Sequence, residues 1–390
     1  MRKIPIPIVL LGHKDHGKST LIGRLLLDSN SIKKTKLEEI KKVDQALGCK
    51  FELAHLIDSF KEEREKEMTI DSTRAILNGK IRSYELIDVP GHKELIANML
   101  TGAAGAEVAL VVISAEEGIR DQTKRHLDIV KIFNIEQLII AINKLDKLDY
   151  RQDVFNKLKQ ESKNILIKIG FCPEKIFFVP VSALIGDNVV KKSQKMLWYK
   201  GKSLINLLEE DIRLASSNLK NLNLIFPIQG ILENILIGKV ECGQIIKNQE
   251  VLILPNREIV RVISIQDADG EVLKAIAGEN IGIVLSKDLN YSRGLVITSL
   301  DSNLKITNQI SGEMFWIKKP SSLKIQIECG TMQTEGEILE PKEIQEKEKM
   351  FYKIITRESV VIEPNGKSIL SKLVLKDNGE IIAVGNIFRN

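Results

Sequence analysis

The segment from Gly12 to Ser19 constrains the fold of this 390-residue chain more than any other stretch of its sequence. Its letters, GHKDHGKS, fit the pattern GxxxxGK[ST], in which backbone N–H groups cradle phosphate oxygens when the loop joins a strand to a helix. The apolar run Ile6–Leu11 comes directly before it, and a helical pattern, Thr20–Leu27, follows. The sequence therefore predicts a phosphate-binding loop in an α/β domain.

Most residues of this loop are expected to contact a nucleotide. The Lys18 ammonium should reach the β- and γ-phosphates, and the Ser19 hydroxyl should bind Mg²⁺. The HxxH spacing of His13 and His16 would suit a metal, but inside a phosphate loop we interpret both as loop residues. The residues predicted to line the phosphates are His13, Lys14, Asp15, His16, Gly17, Lys18, Ser19 and Thr20.

A second motif, Asp88-Val89-Pro90-Gly91-His92, follows the strand-like run at Tyr84. An aspartate at the end of that strand is the expected second Mg²⁺ residue, which would hold the ion through water. The Gly91 N–H can turn towards a γ-phosphate. Asp88 and Ser19 are therefore predicted to bind the metal together.

Two later motifs predict which base is bound. In Asn143-Lys144-Leu145-Asp146, the Asp146 carboxylate can accept hydrogen bonds from the N1–H and the 2-amino group of guanine, a pair that adenine lacks. Asn143 can tie this base loop to the phosphate loop. The segment Ser182-Ala183-Leu184 can offer a backbone N–H to the guanine O6. Together the motifs predict GTP and GDP, with Mg²⁺, as the ligands.

Strand-like and helical segments alternate up to about residue 211, which predicts a doubly wound, mostly parallel sheet. Open α/β sheets bind ligands at the carboxyl ends of their strands, where all four motifs lie. The predicted strands are Ile6–Leu11, Tyr84–Val89, Val108–Ile113, Gln137–Ile142 and Ile176–Val181, and the predicted helices are Ser19–Leu27, Glu94–Leu100, Gln122–Phe133 and Asp153–Ile169.

From Leu224 onward, short β-branched runs alternate with turn signals such as Asp269-Gly270 and Asn378-Gly379, which is typical of all-β domains. We therefore predict an α/β P-loop GTPase domain over residues 1–215, a β-barrel over 222–301 and a short β-barrel over 302–390. The four cysteines form no CxxC pair and fit reduced thiols in a cytoplasmic protein. No apolar run is long enough to span a membrane.

At these motifs the chain resembles the translational GTPases of the elongation factor Tu and elongation factor 1-alpha group. The segments KEERE from Lys61 and MTID from Met68 resemble the first switch of that family. The resemblance implies that Thr69 binds Mg²⁺ through its hydroxyl and that His92 orients the attacking water. It also implies that Asp15 supports the phosphate-loop chemistry, so that Asp15, Lys18 and His92 form the predicted catalytic set.

Two residues depart from the family pattern. The family usually has a small apolar residue at the position of Lys14 and a glycine at the position of Glu67. In the family, that apolar residue forms one side of a hydrophobic gate over the catalytic histidine, and Met68 could form the other. A lysine cannot close an apolar gate in the same way, so the trigger and timing of hydrolysis stay open.

Three roles within this family remain open. Gly23–Ser29, Gly118–His126 and Met196–Gly201 resemble the GTPase subunit of sulfate adenylyltransferase, whose partner would be a catalytic adenylyltransferase subunit. An elongation factor that delivers aminoacyl-tRNA to the ribosome is the alternative, although the third domain is short and aromatic residues make up only 5% of the chain. The third possibility is a switch that binds GTP but hydrolyses it poorly.

Overall fold

The computed structural model describes residues 5–32, 37–38, 53, 73–88, 106, 108–133, 135–212, 222–267, 269–287, 290–346, 348–364, 366 and 368–388. The predicted helix Glu94–Leu100 lies outside these residues. The chain divides into two compact units, Met1–Arg213 and Leu214–Asn390.

The first unit contains a six-stranded sheet with the strand order β2-β3-β1-β4-β5-β6. All neighbouring pairs are parallel except β2 and β3, which are antiparallel. The strands are β1 (Ile6–Leu11), β2 (Thr73–Asn78), β3 (Ser83–Asp88), β4 (Val108–Ser114), β5 (Gln137–Asn143) and β6 (Ile176–Pro180). The helices that the described residues define are α1 (Lys18–Asp28), α2 (Asp121–Ile132), α3 (Gln152–Ile169) and the short α4 (Leu204–Asn206), which continues as a π-helical turn (Leu207–Asp211). Two 3₁₀ turns occupy Leu145–Leu148 and Pro173–Lys175.

The central strands are continuous apolar runs because the sheet buries them on both faces. Every residue of β4 is buried, and in β5 only Gln137 is partly exposed. The edge strand β2 has no such run, so the sequence pattern does not predict it. Its residues alternate instead: Ala75 and Leu77 are buried, whereas Ile76 is 45% exposed.

In the second unit, six strands form a ring in the order β10-β15-β7-β8-β14-β11, which the pairing of β10 with β11 completes. Aliphatic side chains and Phe226 fill the ring. The strands of this part are β7 (Ile225–Leu232), β8 (Ile235–Lys239), β9 (Gln244–Ile246), β10 (Glu250–Leu254), β11 (Glu258–Asp267), β12 (Gly270–Val272), β13 (Lys274–Ile276), β14 (Asn280–Leu285) and β15 (Val296–Thr298).

The last six strands form a closed barrel in the order β16-β19-β18-β17-β20-β21. Trp316 and Tyr352 are fully buried in its core. The strands are β16 (Lys305–Trp316), β17 (Lys324–Cys329), β18 (Met332–Glu340), β19 (Lys349–Ile362), β20 (Lys372–Asp377) and β21 (Glu380–Ile387). The predicted fold class, an α/β domain with a mostly parallel sheet followed by two β-barrels, is therefore confirmed, while the exact domain limits stay predictions.

The structure also bears on the state of the cysteines and on membrane-spanning helices. Cys172, Cys242 and Cys329 have free thiols, and Cys49 lies outside the described residues. Within the part of the chain that the structure describes, no helix is both long and apolar enough to cross a bilayer.

Candidate functional site

The sequence motifs of the first unit meet at one edge of its sheet. The parallel register places Leu10 beside Asp88, Ser114 beside Asn143 and Ile142 beside Pro180. The carboxyl ends of β1, β3, β5 and β6 therefore open on the same side. This is the edge at which open α/β sheets bind ligands.

The phosphate loop has a backbone that only a few residue types adopt. Gly12, Asp15 and Gly17 all have positive φ, at 150°, 66° and 92°. Gly17 is the N-cap of α1 and, having no side chain, provides no side-chain cap to the first turn of the helix. A helix start of this kind suits an anion.

Lys18 and the residues after it complete the cradle. The Lys18 ammonium donates to the carbonyl oxygens of Gly12 at 3.0 Å and His13 at 3.2 Å, which holds it against the loop. Ser19 and Thr20 are half-buried in the first turn of α1. Lys14, between the two glycines, is exposed.

The two loop histidines contact protein groups. His16 is fully buried; its Nδ1 donates to the Val112 carbonyl at 3.3 Å, and its Nε2 lies 3.6 Å from the Glu117 carboxylate. Burial lowers the pKa of His16 below its ordinary value, against the opposing influence of Val112 and Glu117. His13 donates through Nδ1 to the Gln122 side-chain oxygen at 2.8 Å. These contacts support the interpretation of both histidines as loop residues.

Asn143 joins the phosphate loop to the last motif. Its Nδ2 donates to the His16 carbonyl at 3.0 Å, and its Oδ1 accepts from the Ala183 N–H at 2.9 Å. The side chain is 3% exposed, so both bonds are shielded from water. The tie between the base loop and the phosphate loop that the sequence predicts is therefore present.

We expect Asn143→Ala to destabilise the first unit by about 2 kcal/mol, because it leaves buried backbone partners without their hydrogen bonds. GDP affinity should fall about tenfold, since the loops lose their mutual alignment. Isothermal titration and calorimetric unfolding measure the two effects.

Asn188→Ala is the matched control. Asn188 is also buried, and it bonds to the Pro180 carbonyl and the Ser193 N–H instead of the phosphate loop. It should lose similar stability and retain GDP affinity. Equal losses of affinity in both variants would contradict a specific role for Asn143.

The two segments that are predicted to recognise the base are both anchored in the protein. Asp146 is half-buried in the 3₁₀ turn Leu145–Leu148, and Lys144 precedes it with φ 64°. Ser182 is fully buried, and its Oγ accepts from the Ile185 N–H at 3.2 Å. The Leu184 side chain is 63% exposed.

Arg24 is a site residue that the sequence motifs did not reveal. From α1, its Nε donates to the Ala183 carbonyl at 3.2 Å, and its Nη2 donates to the Leu184 carbonyl. The helix that begins at the phosphate loop thus also holds the Ser182–Leu184 segment. The only local signal of Arg24 is its i,i+4 pair with Asp28, which is typical of any helix surface.

A magnesium ion fits the described oxygen donors only together with a phosphate. Asp88 is 7% exposed at the end of β3, and Ser19 lies in the first turn of α1. Among the described residues, no cluster of three or more His, Cys, Asp or Glu is suited to a metal. Mg²⁺ is commonly held by few protein oxygens plus phosphate oxygens and water, so this pair is compatible with it.

Three predicted site residues, Thr69, Gly91 and His92, lie outside the described residues. The same holds for Glu67 and Met68. The structure therefore assembles the phosphate and base parts of the predicted site, and the predicted switch residues stay predictions.

Comparison with known proteins gives matches to one family profile and to several related proteins. Residues 4–237 match the family profile of the elongation factor Tu GTP binding domain. Elongation factor 1-alpha of Methanospirillum hungatei is 33% identical over 341 residues, which cover 84% of this chain and 80% of that protein. Sulfate adenylyltransferase subunit 1 of Saccharophagus degradans is 35% identical over 316 residues, or 79% of this chain and 66% of that protein. Elongation factor 1-alpha of Nanoarchaeum equitans is 32% identical over 97% of this chain and 95% of its own length.

Proposed function

The chain belongs to the family of the elongation factor Tu GTP binding domain, and we propose that it is a molecular switch that binds GTP and hydrolyses it to GDP and phosphate. The observation that carries this proposal is Asn143, whose side chain bonds to both the phosphate loop and the Ser182–Leu184 segment, three residues before Asp146. One rigid assembly then offers a phosphate cradle at one end and a guanine-selective carboxylate at the other.

In this proposal each described group has a defined task. Lys18 neutralises charge on the β- and γ-phosphates. Ser19 and Asp88 would hold Mg²⁺, which would supply further charge neutralisation at the phosphates when bound. Asp146 accepts from the guanine N1–H and 2-amino group. Thr69, Gly91 and His92 would contact the γ-phosphate, its metal and the attacking water.

The hydrogen bonds of the Ser182–Leu184 segment favour one residue as the donor to the guanine O6. Among the hydrogen bonds of the described residues, the Ser182 N–H donates to the Asp187 carbonyl at 3.1 Å and the Ala183 N–H donates to Asn143. Both are therefore engaged inside the protein. The Leu184 N–H is the group of this segment that we assign to the base.

Binding is tested by titration of the purified chain with GDP, GTP and ATP in the presence of Mg²⁺. Guanine nucleotides should bind, and ATP should bind at least about a hundredfold more weakly, because its 6-amino group and bare N1 offer Asp146 no donor pair. Comparable affinity for ATP, or no binding of GDP, would end the proposal.

We expect slow intrinsic hydrolysis, with Lys14 as one cause. The exposed Lys14 stands at a position where the related factors usually have a small apolar residue. Lys14→Val restores that residue type and should raise the single-turnover rate about threefold or more, with GTP affinity nearly unchanged. Lys191→Val, at an exposed lysine elsewhere in the same unit, is the control. Fast hydrolysis by the unmodified chain would refute this expectation.

For the coupled reaction, the first candidate is sulfate adenylylation in a separate catalytic subunit. It is supported by 35% identity to a sulfate adenylyltransferase subunit 1 and by the segments Gly23–Ser29 and Gly118–His126. In that role the chain would couple the free energy of GTP hydrolysis to the reaction of an adenylyl-transferring partner.

The second candidate is delivery of aminoacyl-tRNA to the ribosome. Its support is the extent of the match, because an elongation factor 1-alpha aligns with 97% of this chain, including both barrels. Capture of partners from the native cell with a non-hydrolysable GTP analogue, and then with GDP, separates the candidates. An adenylyltransferase subunit supports the first, and aminoacyl-tRNA supports the second.

A further inference from the structure

The segment that carries Asp146 has an unusual backbone. Lys144, Asp149 and Tyr150 all lie in the left-handed region, with φ of 64°, 51° and 55°. Residues other than glycine are strained there, and a bulky aromatic residue is a rare occupant. The surrounding structure must therefore hold Tyr150 in place.

Two backbone contacts hold it. The Tyr150 N–H donates to the Leu145 carbonyl at 2.9 Å, which closes the turn that contains Asp146. The Tyr150 carbonyl accepts from the indole Nε1 of Trp198 at 3.0 Å. Trp198 is itself fixed against Phe155, with ring centres 5.4 Å apart. The conformation of Tyr150 thus depends on a tryptophan 48 residues further along the chain.

The Tyr150 side chain adds a second set of contacts, with Lys195. The Lys195 ammonium lies 5.0 Å from the ring centre and 3.4 Å from the hydroxyl. Burial raises the pKa of Tyr150 to about 12, and the neighbouring Asp187 carboxylate adds to this effect. The geometric contacts of the Tyr150 side chain are thus with Lys195, in the stretch that follows the Ser182–Leu184 segment.

We propose that Tyr150 and Trp198 are positioning residues for guanine recognition. The Trp198 indole holds Tyr150 in its strained conformation, Tyr150 closes the Leu145–Leu148 turn, and the turn aims the Asp146 carboxylate at the base. This inference rests on the proposed function, because it concerns how firmly that site holds a guanine. In this proposal both residues act through the Asp146 turn and not by contact with the nucleotide.

The test compares GDP with inosine diphosphate, which lacks the 2-amino group. Trp198→Phe keeps an aromatic ring beside Phe155 and removes the donor to Tyr150. Its GDP affinity should fall about fivefold, which is the effect of one lost hydrogen bond. Its preference for GDP over inosine diphosphate should shrink about threefold, since a displaced Asp146 no longer accepts from the 2-amino group. A merely structural role of Trp198 would leave that preference unchanged.

Tyr199→Phe is the matched control. Tyr199 belongs to the same aromatic cluster, but its hydroxyl donates to the carbonyls of Phe178 and Lys202. This variant should keep the GDP affinity and the preference of the wild type. A GDP preference reduced as much as in Trp198→Phe would overturn the inference.

A second, milder variant tests the same inference if Trp198→Phe does not fold. Tyr150→Phe removes only the hydroxyl that lies beside Lys195 and Asp187, and it should speed the dissociation of a fluorescent GDP about twofold. Failure of the wild type to bind GDP refutes the proposed function. Tight GDP binding by the wild type, together with an unchanged preference in Trp198→Phe and unchanged dissociation in Tyr150→Phe, refutes this inference alone.

Discussion

Asp146→Asn is expected to change the base that this protein prefers from guanine to xanthine. The carboxylate can accept from both the N1–H and the 2-amino group of guanine, whereas an asparagine amide offers one acceptor and one donor. Xanthine has an N1–H and a 2-carbonyl oxygen, so it complements the amide. GDP affinity should fall about a hundredfold, because two hydrogen bonds to a charged group are lost, and xanthosine diphosphate should become the better ligand.

Competition of both diphosphates against a fluorescent analogue measures this change. Asp149→Asn is the control, because Asp149 is an exposed aspartate three residues along the same segment and loses the same charge. It should keep the preference for GDP. A preference for GDP in Asp146→Asn would show that another residue recognises the base, and loss of all binding in both variants would indicate a collapsed loop.

Gly17→Ala is expected to have the largest effect on stability and on phosphate binding together. Gly17 has φ 92°, and a Cβ there would lie 2.4 Å from the Asn143 Nδ2. That amide cannot simply move away, because it is buried and bonded to the His16 carbonyl. The strain and the lost hydrogen bond together should lower the unfolding free energy by about 3 kcal/mol and GDP affinity by more than about tenfold.

Gly278→Ala separates the effect of backbone strain from the effect of the clash with Asn143. Gly278 has φ 99°, almost that of Gly17, but a Cβ there would meet nothing within 4 Å. It should therefore show the backbone strain alone, about 1 kcal/mol, with no change in GDP affinity. Calorimetric unfolding and GDP titration of both variants provide the comparison. If GDP affinity were unchanged in both variants, the close approach of Gly17 to Asn143 would not matter for GDP binding.

Much of the first unit could be predicted because local patterns specified it. The motif at Gly12–Ser19 fixed a strand, a turn and a helix, and the predicted strand Ile6–Leu11 has those bounds in the structure. Continuous apolar runs identified the other parallel strands to within a residue or two. The sequence does not reveal the edge strand Thr73–Asn78, because its buried and exposed side chains alternate and form no continuous apolar run.

Within the site, the sequence by itself predicts the chemistry of the groups: Lys18 for phosphate, Ser19 and Asp88 for a metal, and Asp146 for guanine. These assignments follow from residue types and from their order after successive strands, both of which are local properties. Only the tertiary structure could decide what holds them in place. Arg24, Tyr150 and Trp198 make their contacts across long stretches of chain, from 48 residues to about 160. Such contacts arise when packing brings distant segments together, so no local sequence pattern predicts them.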